Sequence, residues 1–193
     1  ITMVANMFEA GVIDNKGKFN RDLQTARIRE TDGVVEYVLA YREETQIDRD
    51  LVLTEIDIEN LIRAKGAIYS GCMTLLAEVG MGIDDLQRII LAGGFGSYVD
   101  LEKAMTIGLL PEIDPDRVTF VGNGSLMGAK MSALTNRIRQ DVVEVTRKMT
   151  NFELSETASY MDNYVAALFL PHTEMQHFPK LNTRMEMRRS ALQ

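Results

Sequence analysis

Three glycines follow a short apolar run near the middle of the chain. The run extends from Ile89 to Ala92, and Gly93, Gly94 and Gly96 come next, with Phe95 among them. This pattern predicts a buried strand that enters a tight turn before a helix. Glycines allow positive φ and let the backbone approach a ligand closely. The free N–H groups of the following helix would suit an anion or a sugar phosphate.

The same pattern occurs a second time further along the chain. An apolar run from Val118 to Val121 precedes Gly122, Asn123 and Gly124. Two strand–glycine–helix junctions in one parallel sheet would place both turns at the same carboxyl edge, where such sheets bind ligands. The sequence therefore favours a nucleotide site at this edge. The glycines could instead only permit the turns, and Asn123 could either bind a ribose or base edge, or close an Asx turn or cap the helix.

A long helix of residues 54–79 carries two further candidates. Its apolar side chains keep helical spacing, and Thr54 with Asp57 resembles a capping box. Lys65 lies close to the apolar stripe, which suggests a place at the edge of a pocket, whereas Arg63, about 200° away around the helix, points to solvent. Gly66 would let a flat ring approach the helix, or would only ease helix packing.

Composition excludes several classes of function. The net charge of −7 argues against binding to nucleic acid or to an anionic membrane surface. Cys72 is the single cysteine, so the chain has no disulfide framework, no thiolate zinc site and no four-cysteine iron–sulfur cluster, which suits a reducing cytoplasm. No apolar run has the length of a membrane span. His172 and His177, with Glu174 between them, are too loosely spaced to predict a metal site.

The remaining elements indicate a layered α/β domain. The chain begins with Ile1 inside an amphipathic helical pattern, so we expect a fragment of a longer protein. The tail of residues 171–193 shows no clear period and is expected to form an extended, peripheral arm after a domain of residues 1–170. Helices are predicted at 3–10, 54–79, 101–107, 125–148 and 158–169, and strands at 34–41, 51–53, 89–91, 118–121 and 152–154.

Several blocks resemble the C-terminal ATPase domain of reductive activators of corrinoid proteins, such as the activating enzymes of O-demethylase systems and the activator of the corrinoid iron–sulfur protein. Their order and spacing cover roughly residues 1–171, and together they are specific. The blocks are residues 8–19, 57–71, 91–100, 107–111, 122–129, 152–155 and 169–171.

The resemblance implies an actin-like, ribonuclease H-like ATPase fold, of the superfamily of actin, sugar kinases and heat-shock chaperones, with only its C-terminal, adenosine-binding half present. It implies that the Gly93 turn binds adenosine and that the helix with Arg63-Ala64-Lys65 flanks the adenine and ribose. Relatives commonly have alanine at the positions of Gly66 and Gly94, so this chain leaves more room near the base. The cofactor-binding residues expected are Lys65, Gly66, Gly93, Gly94, Phe95, Gly96, Gly122 and Asn123.

For the whole protein, the resemblance implies ATP-driven electron transfer onto Co(II) of a corrinoid partner in a methyltransferase or O-demethylase system, which restores Co(I). The phosphate-binding hairpins, the acids that hold Mg²⁺ and a [2Fe–2S] domain would precede this chain. No catalytic residue is assigned, the isolated chain is expected to be inactive, and the expected partners are a corrinoid protein and a second copy of the chain. Two alternatives stay open: a kinase of small metabolites on the same fold, and a non-catalytic docking domain.

Overall fold

A computed structural model describes residues 1–94 and 98–191. Three strands near the N-terminus form an antiparallel meander in the order β1-β2-β3. Their registers place Arg29 opposite Glu36 and Val38 opposite Val52, with an irregularity after Val38. The bounds are β1 Ile28–Thr31, β2 Val34–Ala40 and β3 Leu51–Thr54. Strand β1 is absent from the sequence-based expectation because its residues, mostly exposed and polar, have no apolar alternation.

Helix α2 (Glu55–Glu78) begins where the sequence predicts. The Thr54 hydroxyl accepts a hydrogen bond from the Asp57 N–H at 3.1 Å, and the Asp57 carboxylate accepts one from the Thr54 N–H at 2.9 Å. This reciprocal pair is a capping box, and it satisfies two N–H groups that the first helical turn leaves free. The buried face of α2 packs against β2, β3 and a later helix, α6 (Ala158–Ala166).

A second, parallel sheet consists of β4 (Ile89–Leu91) and β5 (Val118–Phe120), with Ile89 opposite Val118. The first helix, α1 (Thr2–Glu9), packs against α3 (Leu101–Thr106), which follows β4. The parallel pairing confirms that the two strand–glycine junctions share one sheet edge.

The predicted helix of residues 125–148 is two helices, α4 (Gly124–Leu134) and α5 (Asn136–Lys148). Thr135 between them has extended backbone angles, φ −151° and ψ 134°, and its hydroxyl caps α5 by accepting from the Arg137 N–H. A predicted strand at residues 152–154 was also wrong, since a short 3-10 turn, Leu154–Glu156, occupies this region. In both places the spacing of apolar residues is the same for the two possible structures. It does not distinguish one helix from two in the first case, or a short strand from a 3-10 turn in the second.

The segment after Pro171 is helical rather than extended. A 3-10 turn at Met175–His177 leads to α7 (Pro179–Ala191). Phe178 and Leu181 are buried against Tyr69 of α2 and Ala167. Proline is favourable in the first helical turn, and the buried residues are too irregularly spaced to show a period in the sequence. In the described part of the chain, no helix is both long enough and apolar enough to cross a bilayer.

Candidate functional site

The parallel pair β4–β5 brings the two glycine turns into direct contact. The Gly93 N–H donates a hydrogen bond to the Gly122 carbonyl at 2.6 Å, and the Val121 N–H donates to the Leu91 carbonyl at 3.0 Å. Gly93 has φ +109° and Gly122 has φ +61°, a region that residues with a Cβ atom rarely adopt. Each turn therefore requires glycine for its conformation.

Within the described residues, the space beside these turns is open. A Cβ atom placed on Gly93, Gly94 or Gly122 would meet none of their heavy atoms within 4 Å. Gly94, unlike the other two, has no positive φ, so neither backbone strain nor a described neighbour explains its lack of a side chain. This open surface fits a ligand that contacts the backbone closely. Phe95 and Gly96, which the sequence also assigns to the site, lie outside the described residues.

Asn123 is used as a helix cap. Its side-chain oxygen accepts a hydrogen bond from the Leu126 N–H at 2.9 Å, at the start of α4. Of the alternatives that the sequence leaves open for Asn123, the structure shows this one. The cap fixes the direction in which α4 leaves the second glycine turn.

A cavity of about 350 Å³ is lined in part by residues that follow the first glycine turn in the sequence. Tyr98, Val99 and Asp100, which follow this turn, form one side, and Ile1, Thr2 and Met3 form the other. Sequence analysis does not find the contribution of the first residues, since only the packing of α1 on α3 brings them here. Residues 98–100, in contrast, follow the glycine turn directly in the sequence. Their position could therefore have predicted that they line a cavity beside this turn.

Lys65 is fully buried, on the packed face of α2 as its spacing predicts. Its ammonium group donates hydrogen bonds to the carbonyl of Phe169 and to that of Pro171, the latter at 2.6 Å. Burial lowers the pKa of Lys65 to about 7. The charge thus holds the chain that follows α6 against α2. Arg63 is exposed and pairs with Glu59 at 2.5 Å, as expected for the solvent face.

Gly66 allows close packing between α2 and α6. A Cβ atom at this position would lie 3.3 Å from the Ala167 carbonyl and 3.5 Å from side-chain atoms of Tyr164 and Leu168. Of the two roles that the sequence allows for Gly66, approach of a flat ring or close helix packing, these distances correspond to close helix packing. The hydrogen bonds of Lys65 and the atoms nearest Gly66 all belong to residues 164–171, and none belongs to a glycine turn.

His172 is a buried titratable group, whereas the sequence analysis considers it only as a metal ligand and places it in the supposed arm. Its ring lies 5.4 Å from that of Tyr69, centroid to centroid, and its Nδ1 accepts a hydrogen bond from the Glu174 N–H. Burial, assisted by His177 and Lys65, lowers the pKa of His172 to about 4. Burial also raises the pKa of Tyr69, whose hydroxyl has no hydrogen-bond partner among the described residues.

The described residues do not build a metal centre. They contain no group of three or more His, Cys, Asp and Glu side chains arranged to hold a metal ion. A four-thiolate iron–sulfur cluster does not fit either, since Cys72 is the single cysteine.

Comparison with known proteins identifies relatives over most of the chain. Residues 1–182 match the family described as the C-terminal domain of RACo, the ASKHA domain. The solved structure of a reductive activator for corrinoid, iron-sulfur protein is 46% identical in sequence, with a TM-score of 0.84 over 92% of this chain and 28% of that one.

Two curated proteins are also similar. The corrinoid activation enzyme RamQ of Eubacterium limosum is 30% identical over 86% of this chain and 29% of its own length. The [Co(II) methylated amine-specific corrinoid protein] reductase of Methanosarcina barkeri is 38% identical over 51% of this chain and 18% of its own length. The chain thus spans less than a third of the proteins that it matches.

The structural similarity confirms the actin-like fold that the sequence blocks imply, and the family match extends over nearly the whole chain. The chain belongs to the family described as the C-terminal domain of RACo, the ASKHA domain.

Proposed function

We propose that this chain is the C-terminal part of an ATP-dependent reductive activator, which restores Co(I) in a corrinoid protein of a methyltransferase or O-demethylase system. The three relatives described above carry names of corrinoid activation or corrinoid-protein reduction. Within such a protein, the chain contributes the adenosine-binding turns. ATP, Mg²⁺, the iron–sulfur cluster, the corrinoid partner, a homodimer and a cytoplasmic location belong to this proposal for the whole protein.

The contact between the two glycine turns carries the proposal. The 2.6 Å hydrogen bond from Gly93 to Gly122 holds both turns at one sheet edge, next to open space. Parallel sheets of α/β proteins bind ligands at this edge, and the exposed backbone there suits close approach of a nucleoside. Lys65 and Gly66 belong to the proposal as residues of the helix that flanks the adenine and ribose, and they act through packing, because their own contacts are with residues 164–171.

Valine substitutions in the longer protein that contains this chain test the proposal. Gly94→Val should abolish binding of a fluorescent ATP analogue and leave the unfolding temperature unchanged, because Gly94 has no positive φ and no atom of the described residues lies within 4 Å of an added Cβ. Gly93→Val should lose binding and also destabilise the turn, by about 1–2 kcal/mol or more, because φ is +109°. The proposal predicts this difference between neighbouring glycines.

Gly82→Val is the matched control. Gly82 has an extended backbone, with φ −113° and ψ −179°, which valine adopts readily, and it lies outside both turns. This variant should bind the analogue normally. Normal binding by Gly94→Val at an unchanged unfolding temperature would show that these turns do not bind adenosine.

The choice between an activator and the two alternatives needs an assay of the longer protein. An activator should transfer one electron from a low-potential donor to Co(II) of a corrinoid protein only when ATP is present, and the Co(I) spectrum should appear. A metabolite kinase would instead form a phosphorylated product without any change at cobalt. A docking domain would bind the corrinoid protein without ATP turnover.

A further inference from the structure

Helix α3 is the helix that follows the first glycine turn. Asp100, six residues after Gly94, caps this helix by accepting a hydrogen bond from the Lys103 N–H at 3.1 Å. The helix has six residues, so it contains few internal hydrogen bonds that could hold it by itself. Its position, and with it the path by which the chain leaves the turn, therefore depends on contacts with other elements.

The apolar core and α1 hold two faces of α3. Ala104 and Met105 are buried in an apolar cluster, against which residues of β4 and β5 also pack. Lys103 pairs with Glu9 of α1 at 2.6 Å, and both side chains are partly buried. These contacts fix the part of α3 that faces the core and α1.

Arg184 of α7 holds the third face of α3. Glu102 and Thr106 lie one turn apart on this face. The Arg184 guanidinium donates to the Glu102 carboxylate and to the hydroxyl of the buried Thr106, the latter at 3.3 Å. It also lies 3.5 Å from the carboxylate of Glu9, which pairs with Lys103. One guanidinium thus joins three helices in a network, and a network contributes more than an isolated exposed pair.

We propose that Arg184 is a positioning residue of the nucleotide site, because it holds α3 against α7 and so keeps the first glycine turn in the conformation that binds the nucleotide. This inference rests on the nucleotide site proposed above. Arg184 lies outside residues 1–182, so the family match does not account for its contacts. Docking of α7 and binding at the turn are then linked, and linkage between two such events is reciprocal. A bound nucleotide should therefore also stabilise the docked α7.

Titration of the longer protein with a fluorescent ATP analogue tests the proposal. Arg184→Ala should weaken binding by about fivefold, which is the lower end of the usual coupling between linked sites. Arg188→Ala is the matched control, since Arg188 is exposed one turn further along α7, and it should change the affinity by less than about twofold. Equal affinities of Arg184→Ala and the unsubstituted protein would overturn this inference alone. Absence of binding by the unsubstituted protein would overturn the proposed function, and this inference with it.

Hydrogen exchange separates positioning from a general loss of stability. The backbone amides of α7 should exchange more slowly when the analogue is bound, and Arg184→Ala should abolish this difference. Exchange of α7 that is the same with and without bound analogue in the unsubstituted protein would contradict the proposal. If Arg184→Ala does not fold, Glu102→Gln removes the opposite charge on α3 and should weaken binding in the same way. Normal binding by folded Glu102→Gln would then show that the contact does not position the turn.

Discussion

Lys65 shows how a single buried charge can organise distant parts of this chain. Its spacing on α2 predicts burial, and the side chain is fully enclosed. The groups that it binds, the carbonyls of Phe169 and Pro171, lie more than a hundred residues away in sequence. Buried carbonyls need a donor, and this lysine supplies it. Residue 65 therefore has a clear structural role, whatever it contributes to a ligand.

Lys65→Met should lower the free energy of unfolding by roughly 2–3 kcal/mol at alkaline pH, where the amine is neutral and the variant only removes the donor of two carbonyls. At neutral pH the loss should be smaller, because burial lowers the pKa of Lys65 to about 7 and the variant also removes the cost of burying the cation. Arg63→Ala should change it by less than about 1 kcal/mol, since the Arg63–Glu59 pair is exposed. Urea unfolding of both variants measures this. Similar losses in the two would show that the lysine contacts add little to stability.

In the longer protein, Lys65→Ala should also weaken binding of a fluorescent ATP analogue more than Arg63→Ala does. The reason is that Lys65 positions α2 through its hydrogen bonds to the carbonyls of Phe169 and Pro171, whereas Arg63 faces solvent. Circular dichroism at the titration temperature should establish that both variants are folded. A larger loss for Arg63→Ala contradicts the prediction, and negligible losses in both would remove α2 from the site.

Stability should depend on pH through His172. Its pKa falls from 6.5 to about 4 in the folded protein, so the unfolded chain binds more protons between these values. The free energy of unfolding should therefore decrease as the pH falls through this window, by up to about 1.4 kcal/mol per pH unit. Denaturant unfolding of the wild type and of His172→Gln measures the effect. The variant should have a flatter profile, and identical profiles would exclude His172 as the cause.

At the scale of single elements, end caps decide where the helices begin. Thr54 and Asp57 satisfy each other's N–H groups at the start of α2, and the hydrogen bonds that the Asp57 carboxylate accepts from the Thr54 hydroxyl and N–H lower the pKa of Asp57. Thr135 interrupts what the sequence presents as one helix and caps α5. Caps thus position α2, which carries Lys65, and set the break between α4 and α5.

Thr54→Ala should destabilise the protein by about 1 kcal/mol, because the first turn of α2 loses its cap. Thr146→Ala is a suitable control, since this exposed hydroxyl only donates to the Val142 carbonyl within α5. Thermal unfolding of the two variants tests the difference. A loss as large for Thr146→Ala as for Thr54→Ala would show that the cap has no special importance.

At the scale of the whole molecule, charged groups tie the first helix to the last. Glu9 of α1 pairs with Lys103 of α3 at 2.6 Å and lies 3.5 Å from Arg184 of α7. The residues after Pro171 are consequently part of the packed domain. The glycine turns lie on the separate β4–β5 sheet.

The isolated 193-residue chain should not hydrolyse ATP. The described residues contain no cluster of acidic side chains suited to Mg²⁺, and the sequence has no P-loop. Phosphate release from the purified chain should equal that of a buffer blank. Turnover that persists at constant specific activity through further purification would contradict this prediction.

The sequence by itself determined the features that depend on neighbouring residues. Glycines after apolar runs predicted both turns, and the helical period of α2 placed Lys65 close to the packed face and Arg63 towards solvent. The resemblance of several blocks predicted the family, which the comparisons confirm. These signals are local, since strand, turn and helix periods are set within a few residues.

Only the tertiary structure decided which distant groups meet. It placed the carbonyls of Phe169 and Pro171 on Lys65, and it buried Phe178 against Tyr69, next to a helix that the sequence did not predict. Local spacing contains no information on such partners, because burial and hydrogen bonding join residues through packing. The physical reason is that a buried polar group must be satisfied by whatever the fold places beside it.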